Sequence, residues 1–249
     1  MARALALTAA ALAAFTALVL AGALTGIDDW AIDHVMPALD PHSHAGIVSG
    51  SGLWRPFPLD AVWWDKLLDA YLYPDSFLAS AVLVAATCGL LARRGRQVAA
   101  VLWLGAWLGA NAAELVSKVG LARPDVRWSN GVHPIHVVSF DHSYPSGHSA
   151  RGVVLAALLA YAFPRLRYAA AAWVMLVPVA LVVAGAHTIS DVVGGTLLGL
   201  LLVLGVHAMM REWTRSRTFW RGSSAASSAT PRPSSPTSQA TRSTFRTPS

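Results

Sequence analysis

The stretch Asp141-His142-Ser143-Tyr144-Pro145-Ser146-Gly147-His148-Ser149-Ala150-Arg151 runs directly into an apolar segment from Gly152 to Phe163. It reads as the start of a hydrophobic helix. Ser146 is a residue type whose hydroxyl caps helix N-termini, and Gly147 allows a tight turn. The exposed N–H groups of such a start, with the positive end of the helix dipole, favour an anion. His148, in the first turn, titrates near neutral pH. A phosphate is the natural occupant of such a place. Alone, however, a capped helix with one histidine near its start is an ordinary structural feature, so the function must be argued from what the rest of the chain brings to it.

Working outward, the 249 residues are 55% hydrophobic and only 13% charged, and the mean hydropathy is +0.48. These values describe a membrane protein. Apolar runs long enough to approach or cross a bilayer fall at about 4–26, 76–92, 97–119, 147–163, 168–187 and 191–211. The expected fold class is all-α: a polytopic membrane helix bundle of about six transmembrane helices with a Trp-rich interfacial outer loop. Arg3, the first apolar run and Ala21-Gly22-Ala23 also fit a cleavable leader, but the run is long for one and is read as a retained span. The single cysteine, Cys88, lies inside the second run, which excludes an internal disulfide and a cysteine-based metal site.

Charge placement orients the spans. Arg3, then Arg93, Arg94 and Arg96, then Arg165 and Arg167, then Arg211, Arg215, Arg217 and Arg221 fall on one side. Asp28, Asp29, Asp33, Asp40, Asp60, Asp65, Asp69 and Asp75 crowd the first loop on the other. This asymmetry predicts both chain ends in the cytoplasm. It also accounts for the net charge of +6, so no nucleic-acid partner is implied. Four segments follow: a first helix, which also reads as a signal anchor, over 1–26; an extracytoplasmic interfacial loop over 27–75; a five-helix catalytic core over 76–211; and a basic, Ser/Thr/Pro-rich cytoplasmic tail over 212–249, expected to be disordered. In the loop, Trp30, Trp54, Trp63 and Trp64 with Leu67, Leu68 and Tyr71 read as an aromatic belt at the headgroups.

Span three carries Gly105 and Gly109, a pair suited to close helix packing, and then Asn111, Glu114 and Lys118 on one face. Glu114 and Lys118 stand four apart and can neutralise each other. Ser190-Asp191 opens span six as its cap, and Gly194, Gly195 and Gly199 thin that helix for tight contact. The topology gathers Lys118, Arg123, Ser146, His148, Arg151, His187 and Asp191 at one end of the bundle, although they come from separate spans. Polar residues that merely satisfy local needs have no reason to converge in this way. Two histidines, one four residues from a carboxylate, match a nucleophile and an acid: His187 oriented by Asp191, and His148 protonating a leaving alkoxide. Lys118, Arg123 and the amides around Ser146 and Gly147 hold the non-bridging oxygens.

These residues resemble the phosphatidic acid phosphatase type 2 / haloperoxidase superfamily. Its signature is a Lys, six residues, Arg-Pro; then Pro-Ser-Gly-His; then Ser-Arg, five residues, His, three residues, Asp. Pro145-Ser146-Gly147-His148 matches the second part in full, and His187-Thr188-Ile189-Ser190-Asp191 matches the second half of the third. The resemblance covers roughly 76–211. It implies a metal-independent phosphatase without cofactor, acting on a lipid phosphate or lipid pyrophosphate through transient phosphorylation of His187, at the outer face of the cytoplasmic membrane.

Two departures stand out. Lys118 and Arg123 are separated by four residues instead of six, and Ala180 and Leu181 stand where the family has Ser-Arg. Arg151 or Arg127 is the candidate replacement for the missing cation. Two other readings follow from these features: a catalytically degenerate lipid-phosphate-binding protein, and a membrane metal-binding or transport protein using His133, His136, His142, His148 and Asp141.

Overall fold

The computed structural model describes residues 1–35, 67, 70–121, 123, 144–183 and 186–227. Trp54, Trp63, Trp64, Leu68, Pro124, Arg127, His133, His136, Asp141 and His142 lie outside the described residues, so the interfacial loop and the metal-binding alternative are largely outside them as well.

The α-helices whose bounds lie within the described residues are α1 Ala2–Leu20, α2 Thr25–His34, α3 Phe77–Arg93, α4 Gln97–Gly120, α5 Gly147–Ala162, α6 Arg167–Val183 and α7 Ile189–Ser227. Short 3-10 turns, Tyr73–Asp75 and Pro164–Leu166, lead into α3 and α6. The fold is an all-helical membrane bundle. Ala2–Leu20, Gln97–Gly120, Pro164–Val183 and Ile189–Ser216 are long and apolar enough to cross a bilayer, and Phe77–Arg93 is a shorter apolar helix.

Glycine decides where two of the helices stop. After α1, Gly22 takes φ 71, its N–H bonds to Val19 O, and Ala23 N–H bonds to Leu18 O. After α3, Gly95 takes φ 76, and the same pair of bonds runs from Gly95 to Ala92 O and from Arg96 to Leu91 O. Both are Schellman endings, which need a left-handed residue that glycine adopts without a Cβ clash. The first apolar run, expected over 4–26, is therefore divided. The chain turns at Gly22, and the separate helix α2 carries Asp28 back toward the bundle end.

Helix α5 is the centre. Eleven of its sixteen residues are buried, namely Gly147, Ser149, Ala150, Arg151, Gly152, Val153, Val154, Leu155, Ala156, Leu158 and Ala162, and it packs against α3, α4 and α6. Val84, Leu91, Trp103, Trp107, Val154, Leu155 and Leu158 form the main apolar core beside it. Tight crossing occurs where α7 meets α5. A Cβ on Gly194 would fall on the Tyr144 ring, one on Gly195 on the Ser146 carbonyl, and one on Gly199 would stand 2.7 Å from Val153 Cβ. The expectation of a second close crossing at Gly105 and Gly109 is corrected. Gly105 faces open space, and a Cβ on Gly109 would meet Leu202 at an ordinary 3.5 Å.

The last helix also runs further than its apolar stretch, continuing past Arg211 to Ser227. Residues 212–227 contain no proline to break the backbone bonding.

Candidate active site

The chain direction brings the ends of six helices to one end of the bundle: the C-terminal ends of α1, α4 and α6 and the N-terminal ends of α3, α5 and α7. The other end holds the turns with Arg93, Arg94, Arg96, Arg165 and Arg167. The 24 residues of α4 separate the two ends by about 36 Å at 1.5 Å per residue.

At the site end, Ser146 is the N-cap of α5, and its Oγ accepts the Ser149 N–H at 3.3 Å. Its own N–H donates to the Asp191 carbonyl at 2.9 Å, so the two histidine-bearing helix starts are joined through the backbone. Tyr144, 1% exposed, hydrogen-bonds Thr16 of α1 at 2.8 Å through its hydroxyl and packs under Gly194. Burial pushes its phenol above the ordinary tyrosine value.

The start of α7 is capped differently from the sequence expectation. Thr188, not Ser190-Asp191, is the cap: Thr188 Oγ1 accepts the Asp191 N–H at 3.4 Å, and Asp191 Oδ2 accepts the Thr188 N–H at 3.1 Å. This reciprocal pair is a capping box, Thr-x-x-Asp. It fixes the Asp191 carboxylate beside His187, whose Nδ1 lies 3.7 Å from Asp191 Oδ2. That separation exceeds a hydrogen bond, and His187 Nδ1 is buried without one among the described residues. The ring presents Nδ1 to Asp191, which leaves Nε2 for other partners. The His148 and His187 rings stand 6.0 Å apart between centroids at 58°.

Two polar clusters flank the histidines. In the first, Arg123 Nη1 donates to Asp191 Oδ1 at 2.6 Å, to Ser190 Oγ at 3.3 Å and to Thr188 Oγ1 at 3.4 Å, while Nη2 donates to Asp28 Oδ2 at 3.1 Å. Asp28 also accepts the Ser190 N–H at 2.9 Å and the Ser190 hydroxyl at 2.6 Å. Arg123, Asp28, Ser190 and Asp191 are all buried. Asp28 was visible in the sequence only as one of many outer-loop acids. Burial pushes its carboxyl above the ordinary value, and the Ser190 bonds and the Arg123 charge offset only part of that.

In the second cluster, Arg151 Nη1 donates to Glu114 Oε2 at 2.5 Å and to Asn111 Oδ1 at 3.1 Å, and its Nε donates to the Asp75 carbonyl at 3.0 Å. Glu114 Oε1 lies 3.2 Å from Lys118 Nζ, as the i,i+4 spacing predicts. Gly147 abuts this cluster, since a Cβ there would fall on the Glu114 carboxylate. The departure at Ala180 and Leu181 also has a structural setting. Both side chains are buried in an apolar cluster with Ala31, Leu72, Val177 and Val192. The Leu181 carbonyl accepts the Ala186 and His187 N–H groups. Among the described residues no group of three or more His, Cys, Asp or Glu side chains forms a candidate metal site.

This end of the helical membrane bundle thus holds two neighbouring imidazoles, a capped carboxylate and three cations. The family model described as PAP2 superfamily matches residues 99–215, and the resemblance read from the motifs is thereby shown. Two curated relatives are similar. A lipid A 1-phosphatase of Rhizobium johnstonii is 36% identical over 118 residues, 43% of this chain and 48% of the relative. One of Rhizobium etli is 35% identical over 118 residues, 43% of this chain and 51% of the relative. The chain thus spans about half the length of the curated relatives it matches. Among solved structures, the first transmembrane PAP2 type phosphatidylglycerolphosphate phosphatase from Bacillus subtilis matches with a TM-score of 0.53 at 25% identity, covering 82% of this chain and 96% of that one.

Proposed function

We propose that this protein is an integral membrane phosphatase that removes a terminal phosphate from a lipid phosphate or lipid pyrophosphate at the extracytoplasmic face, through a phosphohistidine intermediate. The observation that carries the reading is the pair of imidazoles 6.0 Å apart, one on each of two helix starts joined by the Ser146 to Asp191 backbone bond. That gap accommodates a phosphoryl group between a nucleophile and an acid. The family match and the names of the similar proteins, all phosphatases of lipid phosphates, support it.

In this mechanism the His187 Nε2 lone pair attacks phosphorus while the phosphorus–oxygen bond to the lipid breaks. The departing alkoxide takes a proton from His148, which then removes a proton from the attacking water as the phosphorus–nitrogen bond of the intermediate breaks. Asp191, held by Arg123 and the Thr188 N–H, faces Nδ1 and stabilises the imidazolium. Lys118, Arg151, Gly147 and the α5 amides take up the charge on the non-bridging oxygens. The basic turns at the opposite end of the bundle support the outward orientation in this reading.

The test is phosphate release by purified protein from a panel of phosphatidic acid, phosphatidylglycerol phosphate, polyprenyl pyrophosphate and lipid A 1-phosphate, with trapping of acid-labile phosphate on His187. Release from a member of the panel together with a trapped intermediate is expected. No release from any of them favours a lipid-phosphate-binding protein without turnover.

A further inference from the structure

Glu114 takes no part in the reaction above, yet its carboxylate occupies the surface prepared for an anion. One oxygen lies 3.2 Å from Lys118 Nζ and the other 2.5 Å from Arg151 Nη1. The carboxylate lies where a Cβ of residue 147 would be, against the first residue of α5. Its side chain is 15% exposed and that of Lys118 13%, against 5% for Arg151. A carboxylate bridging two cations at a helix start imitates two oxygens of a phosphate. It differs in charge, carrying one negative charge where a phosphomonoester near neutral pH carries close to two.

Resting on the phosphatase reading of this same cradle, we propose that Glu114 is a specificity-determining residue: a built-in competitor that the substrate phosphate must displace. A phosphodiester is a monoanion, so exchanging it for Glu114 gains nothing in charge across Lys118 and Arg151. A phosphomonoester or a terminal pyrophosphate brings the larger charge and displaces the carboxylate. The membrane surface around the site is crowded with phosphodiester headgroups, and Glu114 keeps them from occupying the cradle without any steric filter. The same carboxylate keeps the two cations from repelling each other while the site is empty.

The experiment compares wild type with Glu114→Gln, which keeps the shape and removes the charge, and with Glu114→Asp, which keeps the charge but withdraws it by one methylene from Gly147. Binding of inorganic phosphate and of dimethyl phosphate, a small phosphodiester, is measured by calorimetry in detergent. Glu114→Gln is expected to bind inorganic phosphate about tenfold more tightly, on the scale of one partly exposed charge contact, and to bind dimethyl phosphate, which wild type does not. Glu114→Asp shifts both in the same direction by less. Unchanged or weakened phosphate binding in both variants, or dimethyl phosphate bound equally by wild type, overturns the proposal. Failure of the phosphatase reading registers separately, as wild-type protein that binds no phosphate and acquires no label on His187.

Discussion

The two histidines stand in opposite kinds of polar surroundings. Around His187, the groups Asp28, Arg123, Thr188, Ser190 and Asp191 are buried and bonded to one another. Beside His148, Glu114 and Lys118 are 15% and 13% exposed, and Glu114 bridges Lys118 and Arg151. The first is a frame that fixes a carboxylate beside one ring through a capping box and a buried arginine. The second is the seat that the proposal above gives to Glu114. The proposed reaction needs a nucleophile held still and room for a charged substrate, and the two clusters lie on different helix pairs: α2 with α7, and α4 with α5.

The sharpest way to break this comparison is to remove His187, the proposed nucleophile. His187→Ala is expected to lower phosphate release by about 10⁴-fold or more, because it removes the proposed acceptor of the phosphoryl group. His148→Ala, which leaves the nucleophile but removes the acid, is expected to cost about 10²–10⁴-fold. Leaving-group dependence separates them: a substrate with a good leaving group restores His148→Ala and leaves His187→Ala inactive. Equal rescue of both variants would put the nucleophile elsewhere.

On the seat side, Lys118→Ala and Arg151→Ala are each expected to lose about 10²-fold in kcat/KM, the usual scale for one donor to a developing oxyanion. Arg151 is the residue through which the seat either does or does not replace the missing family arginine. If Arg151→Ala keeps full activity while Lys118→Ala abolishes it, Arg151 serves only to anchor Glu114, Asn111 and the Asp75 carbonyl.

On the frame side the expected effect is smaller and of a different kind. Asp28→Asn keeps an acceptor for the Ser190 N–H and loses the charge facing Arg123. A displacement of Arg123 reaches Asp191 directly, so kcat should fall about tenfold, within the range that slight misplacement produces, with KM little changed. A change in KM alone would move Asp28 out of the frame.

Much of the bundle was legible because a bilayer restricts the alternatives. Six apolar runs correspond to α1, α3, α4, α5, α6 and α7, and the pairing of Glu114 with Lys118 follows from spacing on one helix. What could not be read was contact across large sequence separation. Asp28 reaches Ser190 from 162 positions away, and the loop acids around it carry no mark that singles it out. The same limit hid the Glu114 to Arg151 bond, because the two residues lie on different helices. The division of the first apolar run was accessible in principle: Gly22 sits where a Schellman ending needs it, but within an Ala-rich run it reads as one more small residue. The closer packing at Gly194, Gly195 and Gly199 than at Gly105 and Gly109 depends on which neighbour each helix face meets.

Asp75 gives the smallest effect and marks the edge between seat and core. Its side chain is fully buried, neither carboxyl oxygen has a hydrogen-bond partner among the described residues, and Gly152 packs against it, a Cβ there lying 3.6 Å from Oδ2. Burial pushes its carboxyl well above the ordinary value, with the nearby Arg151 charge opposing the shift. The folded state therefore holds this proton to higher pH than the unfolded chain does. Below the ordinary carboxylate range the group's full contribution to stability is present, and it is lost as pH rises through the raised folded value. Asp75→Asn has nothing to titrate. Wild type should accordingly lose thermal stability relative to Asp75→Asn as pH rises from about 4 to about 8, measured by unfolding in detergent. Parallel curves would mean that Asp75 is ionised in the folded protein across that range, with Arg151 as its counter-charge, and the boundary of the seat would then extend to include it.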